Sequence, residues 1–230
     1  MKTILLALAS VIALVGCDGE PTSDEVELGD VYASYVLAKE DGKLPVATAQ
    51  LREGGPSGSA LVLGGGDTIS CGGAMLVRTD SDGVPAYSAV LPAAATSAEF
   101  ELVRPGQRSY VRHADMPPAL RITSAPTSAS YDSQLDISWA SDASQAGTIT
   151  IEATSTNPSC PKVTVADHVK DTGTWAFDGS AFRPSKDEDV ECAYTVAVMH
   201  DVESDVGPPF VGGVLVSRSL ATAPIQFHVP

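Results

Sequence analysis

Short apolar runs, broken by glycine, proline and aspartate, follow one another along the chain from residue 31 onward. The runs recur every 8 to 12 residues, with turn dipeptides such as Asp41-Gly42, Gly72-Gly73 and Pro105-Gly106 between them. Beyond residue 16, no window of about a dozen residues keeps the 3.6-residue apolar period of a helix. The pattern therefore predicts an all-β protein. The predicted strands cover residues 31–38, 44–51, 59–64, 67–71, 74–79, 86–91, 98–104, 109–114, 120–125, 135–140, 147–154, 162–167, 173–177, 191–199, 213–219 and 224–229.

A break near Pro117-Pro118 divides these strands into two groups. Consecutive prolines lack the amide donors that a β-ladder needs, and they favour an extended link. Each group contains enough strands for a sandwich of its own. We expect two consecutive antiparallel β-sandwich domains, at residues 31–116 and 117–230, in preference to one large barrel.

Residues 1–16 form a separate segment, in which Lys2 is the one charged side chain and an apolar run extends from Ile4 to Val15. About a dozen apolar residues are too few to cross a bilayer, which needs roughly 20, but they match the apolar region of a secretory signal. The run ends in Leu14-Val15-Gly16-Cys17, which resembles the lipobox of bacterial lipoprotein precursors. The resemblance implies cleavage before Cys17, a diacylglyceryl group on its sulfur and acylation of the new amino terminus. An ordinary signal peptide with an incidental cysteine is the alternative.

The segment after this cysteine is acidic. Residues 18–29 contain five carboxylates and no basic side chain, a composition that buries too little apolar surface to fold by itself. We therefore expect residues 17–30 to be a lipidated cysteine followed by a flexible tether. Fully extended, residues 18–29 reach about 40 Å at roughly 3.3 Å per residue. Continuation into an edge strand is the alternative, and it suits only residues 26–28.

The second group of strands carries a family resemblance. The runs LDISW at 135–139, TITIEAT at 148–154 and AYTVAVM at 193–199 resemble strands B, C and F of fibronectin type III and related immunoglobulin-like domains. Tyr194 lies two residues after Cys192 instead of two before it, which departs from the tyrosine corner of such domains. Because strands C and F are antiparallel neighbours there, the resemblance implies a disulfide between Cys160 and Cys192. Cys71 is then left over, as a buried inert thiol or as a reactive or intermolecular one.

Charge and motifs exclude several functions. Removal of residues 1–16 changes the formal charge from −15 to −16, and so acidic a chain is repelled by the phosphates of nucleic acids. The sequence contains no GxSxG, HExxH, CxxC or P-loop motif. We expect no cofactor or metal from the histidines, because the four are scattered without ligand spacing. They are His113, His168, His200 and His228.

Acidic residues provide the one chemical hint. Seven carboxylates and no Lys or Arg lie between residues 187 and 205, and Ca²⁺ takes six to eight oxygen ligands. The fibronectin-like assignment gathers four carboxylates at one end of the second domain, which makes them weak calcium candidates. They are Asp142, Asp201, Glu203 and Asp205. Solvated loops are the simpler interpretation.

These features together predict a non-enzymatic adhesion, scaffold or binding module of the bacterial cell envelope. A lipid anchor would hold it on a membrane, with its body in the periplasm or at the cell surface and another envelope protein or a polysaccharide as its partner. An envelope hydrolase or hydrolase inhibitor, with a site assembled from residues remote in sequence, is one alternative. A calcium-stabilised surface domain is another. A concave cleft with converging Ser, His or carboxylate groups would favour the enzyme.

Overall fold

Strands make up most of the regular structure in the computed structural model, which describes residues 20–81, 83–140, 147–184 and 191–228. The predicted all-β class is confirmed, because the other regular elements in these ranges are three short 3₁₀ turns. The turns are Ser23–Glu25, Leu28–Asp30 and Gly179–Phe182. Residues 1–19, with the proposed signal and Cys17, lie outside the described residues, and so does Asp142.

Eight described strands lie on each side of Pro117. The first eight are Val31–Glu40 (β1), Val46–Glu53 (β2), Thr68–Cys71 (β3), Ala74–Met75 (β4), Val77–Ser81 (β5), Val84–Val90 (β6), Ser97–Val103 (β7) and Tyr110–Asp115 (β8). The others are Arg121–Ser124 (β9), Ser128–Ser130 (β10), Gln134–Ala140 (β11), Thr148–Thr154 (β12), Val163–Val169 (β13), Thr174–Asp178 (β14), Cys192–Asp205 (β15) and Gly212–His228 (β16). Buried and more exposed side chains alternate in β1, β2 and β11, as expected for strands with one face on a core.

The strands form one long sheet and two small ones. The long sheet has the order β13-β12-β15-β16-β1-β2-β6-β5, and β10 also pairs with β16. The small sheets have the orders β4-β3-β7-β8 and β14-β11-β9. β15 pairs with one side of β16. On the other side, β1 pairs with residues 212–220 of β16, and β10 pairs with residues 226–228. The long sheet therefore runs without interruption from the first half of the chain into the second.

Two hydrophobic cores lie on the same face of this long sheet. Leu215 and Phe227 are both buried in β16, and their even spacing puts them on one face. Leu215 belongs to the first core with Phe100 of β7, and Phe227 belongs to the second core with Ile137 of β11. Each small sheet therefore covers one part of the same face. Ser219 is buried on that face between the two cores.

The division of the chain between the cores differs from the expected boundary at residues 116 and 117. The first core takes side chains from residues 28–114 and also Val206, Phe210 and Leu215 from the C-terminal half. The cause is the parallel pairing of β1 with β16, which brings the segment after β15 beside the first strand. This pairing and that of β10 with β16 also depart from the expected antiparallel arrangement. A parallel pair needs a long crossover connection, which no local sequence pattern indicates.

Several predicted strands have different limits in the structure. The runs at 213–219 and 224–229 belong to one strand, β16, which contains Pro224. The proline is accommodated because, of the described strands, β15 alone flanks β16 between Leu220 and Gln226. The run at 191–199 continues as β15 to Asp205. The predicted strand at 59–64 forms only isolated bridges at Ala60 and Val62.

Buried tyrosines make the fold sensitive to alkali. Burial raises the pKa of Tyr194 from 10.0 to about 12, and it also raises the pKa of Tyr35. The phenols of the unfolded chain ionise first, so the free energy of unfolding should hold below pH 10 and fall as the pH rises through about 12. Urea titrations across this range test the expectation. Tyr194→Phe, which cannot ionise, should show a weaker pH dependence than wild type, and an unchanged dependence would contradict the assignment.

Candidate functional site

The N-terminal segment expected to be a tether lies against the body of the protein from Glu20 onward. Thr22 forms a parallel bridge with Val62, and Ser23 N donates to Val62 O at 2.7 Å. Ser23 has no exposed surface, and Leu28 is buried in the first core. The structure therefore differs from a flexible tether over residues 20–30, because the backbone of this polar segment finds partners on the body.

A buried ion pair holds the segment in place. The Arg104 Nε atom lies 3.0 Å from Asp67 Oδ2, and the Asp67 side chain is fully buried. Ser23 Oγ donates to the same carboxylate oxygen at 2.8 Å. The two terminal guanidinium nitrogens donate to backbone oxygens of the segment, Nη1 to Val26 O at 2.9 Å and Nη2 to Ser23 O. We call Ser23, Val26, Asp67 and Arg104 the N-terminal clamp.

The glycines before Asp67 allow the segment to approach this closely. Gly64 N donates to Ser23 Oγ at 3.2 Å. A Cβ atom on Gly64 would lie 2.2 Å from Asp24 Oδ1, and one on Gly65 would lie 2.5 Å from Asp24 Cβ. Gly65 also has a φ of +58°, a conformation that side chains disfavour. The turn at 64–65 is therefore shaped by the segment that lies on it.

A second, exposed contact fixes the start of the described chain. Arg78 Nη2 on β5 donates to Glu20 Oε2 at 2.9 Å, and Arg78 Nε donates to Asp80 Oδ1 at 3.0 Å. Both acidic side chains are more than half exposed, so water screens these pairs and their contribution to stability is small. Their importance is positional, because they put Glu20 beside the outermost strand of the long sheet.

Sequence reasoning missed the clamp, although one signal for it is visible. In β7 the side chains of Ala98, Phe100 and Leu102 face the core, and Arg104 is the next position of the same parity. An arginine at a position where the period of two calls for an apolar residue indicates a buried partner, because an unpaired buried charge is costly. The identity of that partner, Asp67, depends on the fold and has no local signal.

Removal of the guanidinium should destabilise the protein strongly. Arg104→Met leaves the Asp67 carboxylate buried without its counter-charge, so we expect the free energy of unfolding to fall by about 3–5 kcal/mol. Urea denaturation followed by circular dichroism measures the change. Arg78→Met is the matched control, since it removes an arginine that contacts the same segment from an exposed position, and it should change little. Equal small effects of the two substitutions would contradict a stabilising clamp.

The disulfide implied by the family resemblance is present. Cys160 and Cys192 are bonded, with Cα atoms 6.0 Å apart, which confirms the prediction. Thr154 at the end of β12 lies opposite Thr195 near the start of β15, so the two cysteines belong to the same end of the second core. A bridge that closes a loop of 32 residues contributes about 3–4 kcal/mol in the chain-entropy account. Next to it, Tyr194 Oη donates to Phe182 O at 3.0 Å.

Cys71 is a buried thiol without a disulfide partner. It lies in the first core, opposite Phe100 of the neighbouring strand, and has no exposed surface. Burial raises the pKa of its thiol to about 12, so the reactive thiolate is scarce at neutral pH. Of the alternatives that the sequence leaves open, the inert thiol agrees with this environment.

The calcium candidates do not converge among the described residues. Both carboxylate oxygens of Asp201 accept hydrogen bonds from Arg218, at 2.6 Å each, and Asp201 is buried. Glu203 and Asp205 lie at exposed positions of β15. The shorter predicted strand, at 191–199, places them in a loop instead. Residues two apart on a strand are separated by about 7 Å, which spreads these carboxylates along a line. In the described ranges, no three His, Cys, Asp or Glu side chains are grouped to hold a metal.

A shallow depression on the β4-β3-β7-β8 sheet gathers several polar side chains. Ser70, Glu99, Glu101 and His113 line it, and His113 Nε2 lies 3.0 Å from Asp115 Oδ1. The side chains of Glu99, His113 and Asp115 are all more than half exposed. Water therefore surrounds these groups, in contrast to the water-excluded clefts that favour acid–base chemistry.

Neither a family model nor a curated protein matches the sequence. Within the ranges that the structure describes, no helix has the length and apolar character needed to cross a membrane. We therefore infer function from the lipobox-like sequence, the N-terminal clamp and the surfaces around them.

Proposed function

We propose that this chain is a lipoprotein of the bacterial cell envelope, anchored through acyl groups on Cys17 and acting as a non-enzymatic binding or scaffold module. The observation that carries the proposal is the lipobox-like run Leu14-Val15-Gly16-Cys17 at the end of a signal-like segment. The Cys160–Cys192 disulfide supports export, because disulfides persist in oxidising compartments outside the cytoplasm. The body then faces the periplasm or the cell surface.

The anchor in this proposal has a short connection to the body. Cys17 and Glu20 are three residues apart, so their Cα atoms are separated by about 11 Å at most. From Thr22 onward the backbone is held by Val62 and the N-terminal clamp. Two or more acyl chains, at about 0.8 kcal/mol per buried methylene, give lasting attachment. A short connection then limits which side of the body is turned toward the membrane.

The roles of the buried polar groups support a binding module. Asp67 is paired with Arg104, and Asp201 is paired with Arg218. The Asp171 Oδ1 atom accepts hydrogen bonds from Trp139 Nε1 at 2.9 Å and from a backbone amide. Each of these carboxylates is occupied by a structural partner. Such a body suits the presentation of rigid sheet surfaces to another envelope protein or to a polysaccharide.

Metabolic labelling with radioactive palmitate tests the anchor. The full chain expressed in bacteria should incorporate label, and Cys17→Ala should abolish it because the acceptor sulfur is gone. Cys71→Ala is the control, since it removes a cysteine that lies buried in the first core, and it should keep the label. Incorporation into Cys17→Ala at the wild-type level would overturn the proposal.

A further inference from the structure

Exposed apolar side chains are most frequent on and beside β2, β4, β5 and β6. Eight large apolar side chains of the described residues are at least about one-third exposed, and five of them lie on or beside β2, β4, β5 and β6. We call these five the apolar patch. They are Leu44 (51% exposed), Val46 (36%), Met75 (56%), Val77 (63%) and Val90 (61%). Val77 and Val90 are the two most exposed of all eight.

The side chains of the patch point away from the first core. Leu44 and Val46 flank Pro45, which is buried, so strand alternation turns both of them outward. Met75 ends β4 of the small sheet and Val77 begins β5 of the long sheet. They flank Leu76, which belongs to the first core, and both are exposed. The register of the long sheet connects Val46 with Val77, because Val90 of β6 lies opposite Val46 of β2. Val77 of β5 lies opposite Ser88, two residues from Val90 on the same strand.

Val77 of the patch is adjacent in sequence to Arg78, whose side chain lies on the other face of the edge strand β5 and contacts the N-terminal segment. Arg78, the residue after Val77, donates to both carboxylate oxygens of Glu20, at 2.9 and 3.1 Å. Only residues 18 and 19 separate Glu20 from Cys17. An acyl group on Cys17 would therefore enter a bilayer within about 11 Å of Glu20 Cα, and it would bring β5 to the membrane surface.

We propose that the apolar patch lies on the surface of the phospholipid bilayer that holds the lipid anchor, so that the body rests on the membrane in one orientation. This inference depends on the proposed lipidation of Cys17. Because the anchor tethers the body to the bilayer, the contact between the patch and the lipid is effectively intramolecular. Even a weak interfacial contact is then populated. Zwitterionic headgroups are the fitting partner, because the mature chain carries a formal charge of −16 and is repelled by anionic ones.

A second copy of the chain is a less suitable occupant of the patch. β5 is the outermost strand of the long sheet and carries the charged side chains of Arg78 and Asp80, which form an ion pair at 3.0 Å. Charged side chains on an edge strand oppose the addition of another strand. Contact through apolar side chains with a lipid surface does not require the edge to be free of charge.

Spin-label accessibility tests the orientation. Val77→Cys and Val90→Cys place a nitroxide in the patch, and Val211→Cys places one at a 54% exposed valine outside it. The full lipidated chain is reconstituted into phosphatidylcholine and phosphatidylethanolamine vesicles. Collision with a water-soluble nickel chelate should be about fivefold slower at positions 77 and 90 than at 211, because an interfacial face is covered by headgroups. Wild type, whose Cys71 is buried, is the unlabelled blank.

Separate readouts distinguish the two proposals. Mass spectrometry of the chain and flotation with the vesicles report the anchor; a chain that lacks lipid and does not float overturns the proposed function and this inference together. A lipidated, floating chain with equal collision rates at all three positions overturns the inference alone. Dipolar broadening between labels at position 77 would also overturn it, because it would show that a second copy covers the patch.

Discussion

The ion pair between Asp67 and Arg104 is the interaction on which the position of the N-terminus depends. A guanidinium taken out of water needs all of its hydrogen-bond partners, and here two of them are backbone oxygens of Ser23 and Val26. Without the segment, the Arg104 Nη1 and Nη2 atoms would lose both of these backbone acceptors. The segment is therefore a component of the first core's polar structure, and its path over Gly64 and Gly65 follows from that requirement.

The clamp also explains why composition gave a misleading picture of residues 20–30. Five carboxylates among residues 18–29 predict a solvated chain when side chains alone are considered. In the structure, backbone groups of Pro21, Ser23 and Val26 hydrogen-bond to the body. Backbone partners lie in distant parts of the sequence, at Val62 and Arg104, so no local composition reveals them. The Glu20 carboxylate also has a partner, Arg78.

Local hydrophobic periodicity was sufficient to predict most of the strands and the all-β class of the fold. The run LDISWA at 135–140 corresponds to β11 at Gln134–Ala140, because a strand with one buried face has the same period in sequence and structure. The Cys160–Cys192 bridge followed from a family resemblance. The pairing of β1 with β16 had no such signal, because its partners are about 180 residues apart and parallel. That pairing joins both cores on one sheet, and it also puts Leu215 in the first core instead of the second.

A short, fixed connection between anchor and body is the central claim, and amide hydrogen exchange at Ser23 and Val26 tests it most directly. Ser23 N donates to Val62 O, and Val26 N donates to Ser23 O. Both of these amides belong to the clamped segment. Exchange measured by nuclear magnetic resonance on the native protein should be slowed at Ser23 to a degree close to that of amides in β1. Exchange at the rate of an unstructured peptide would contradict the clamp and restore a flexible tether.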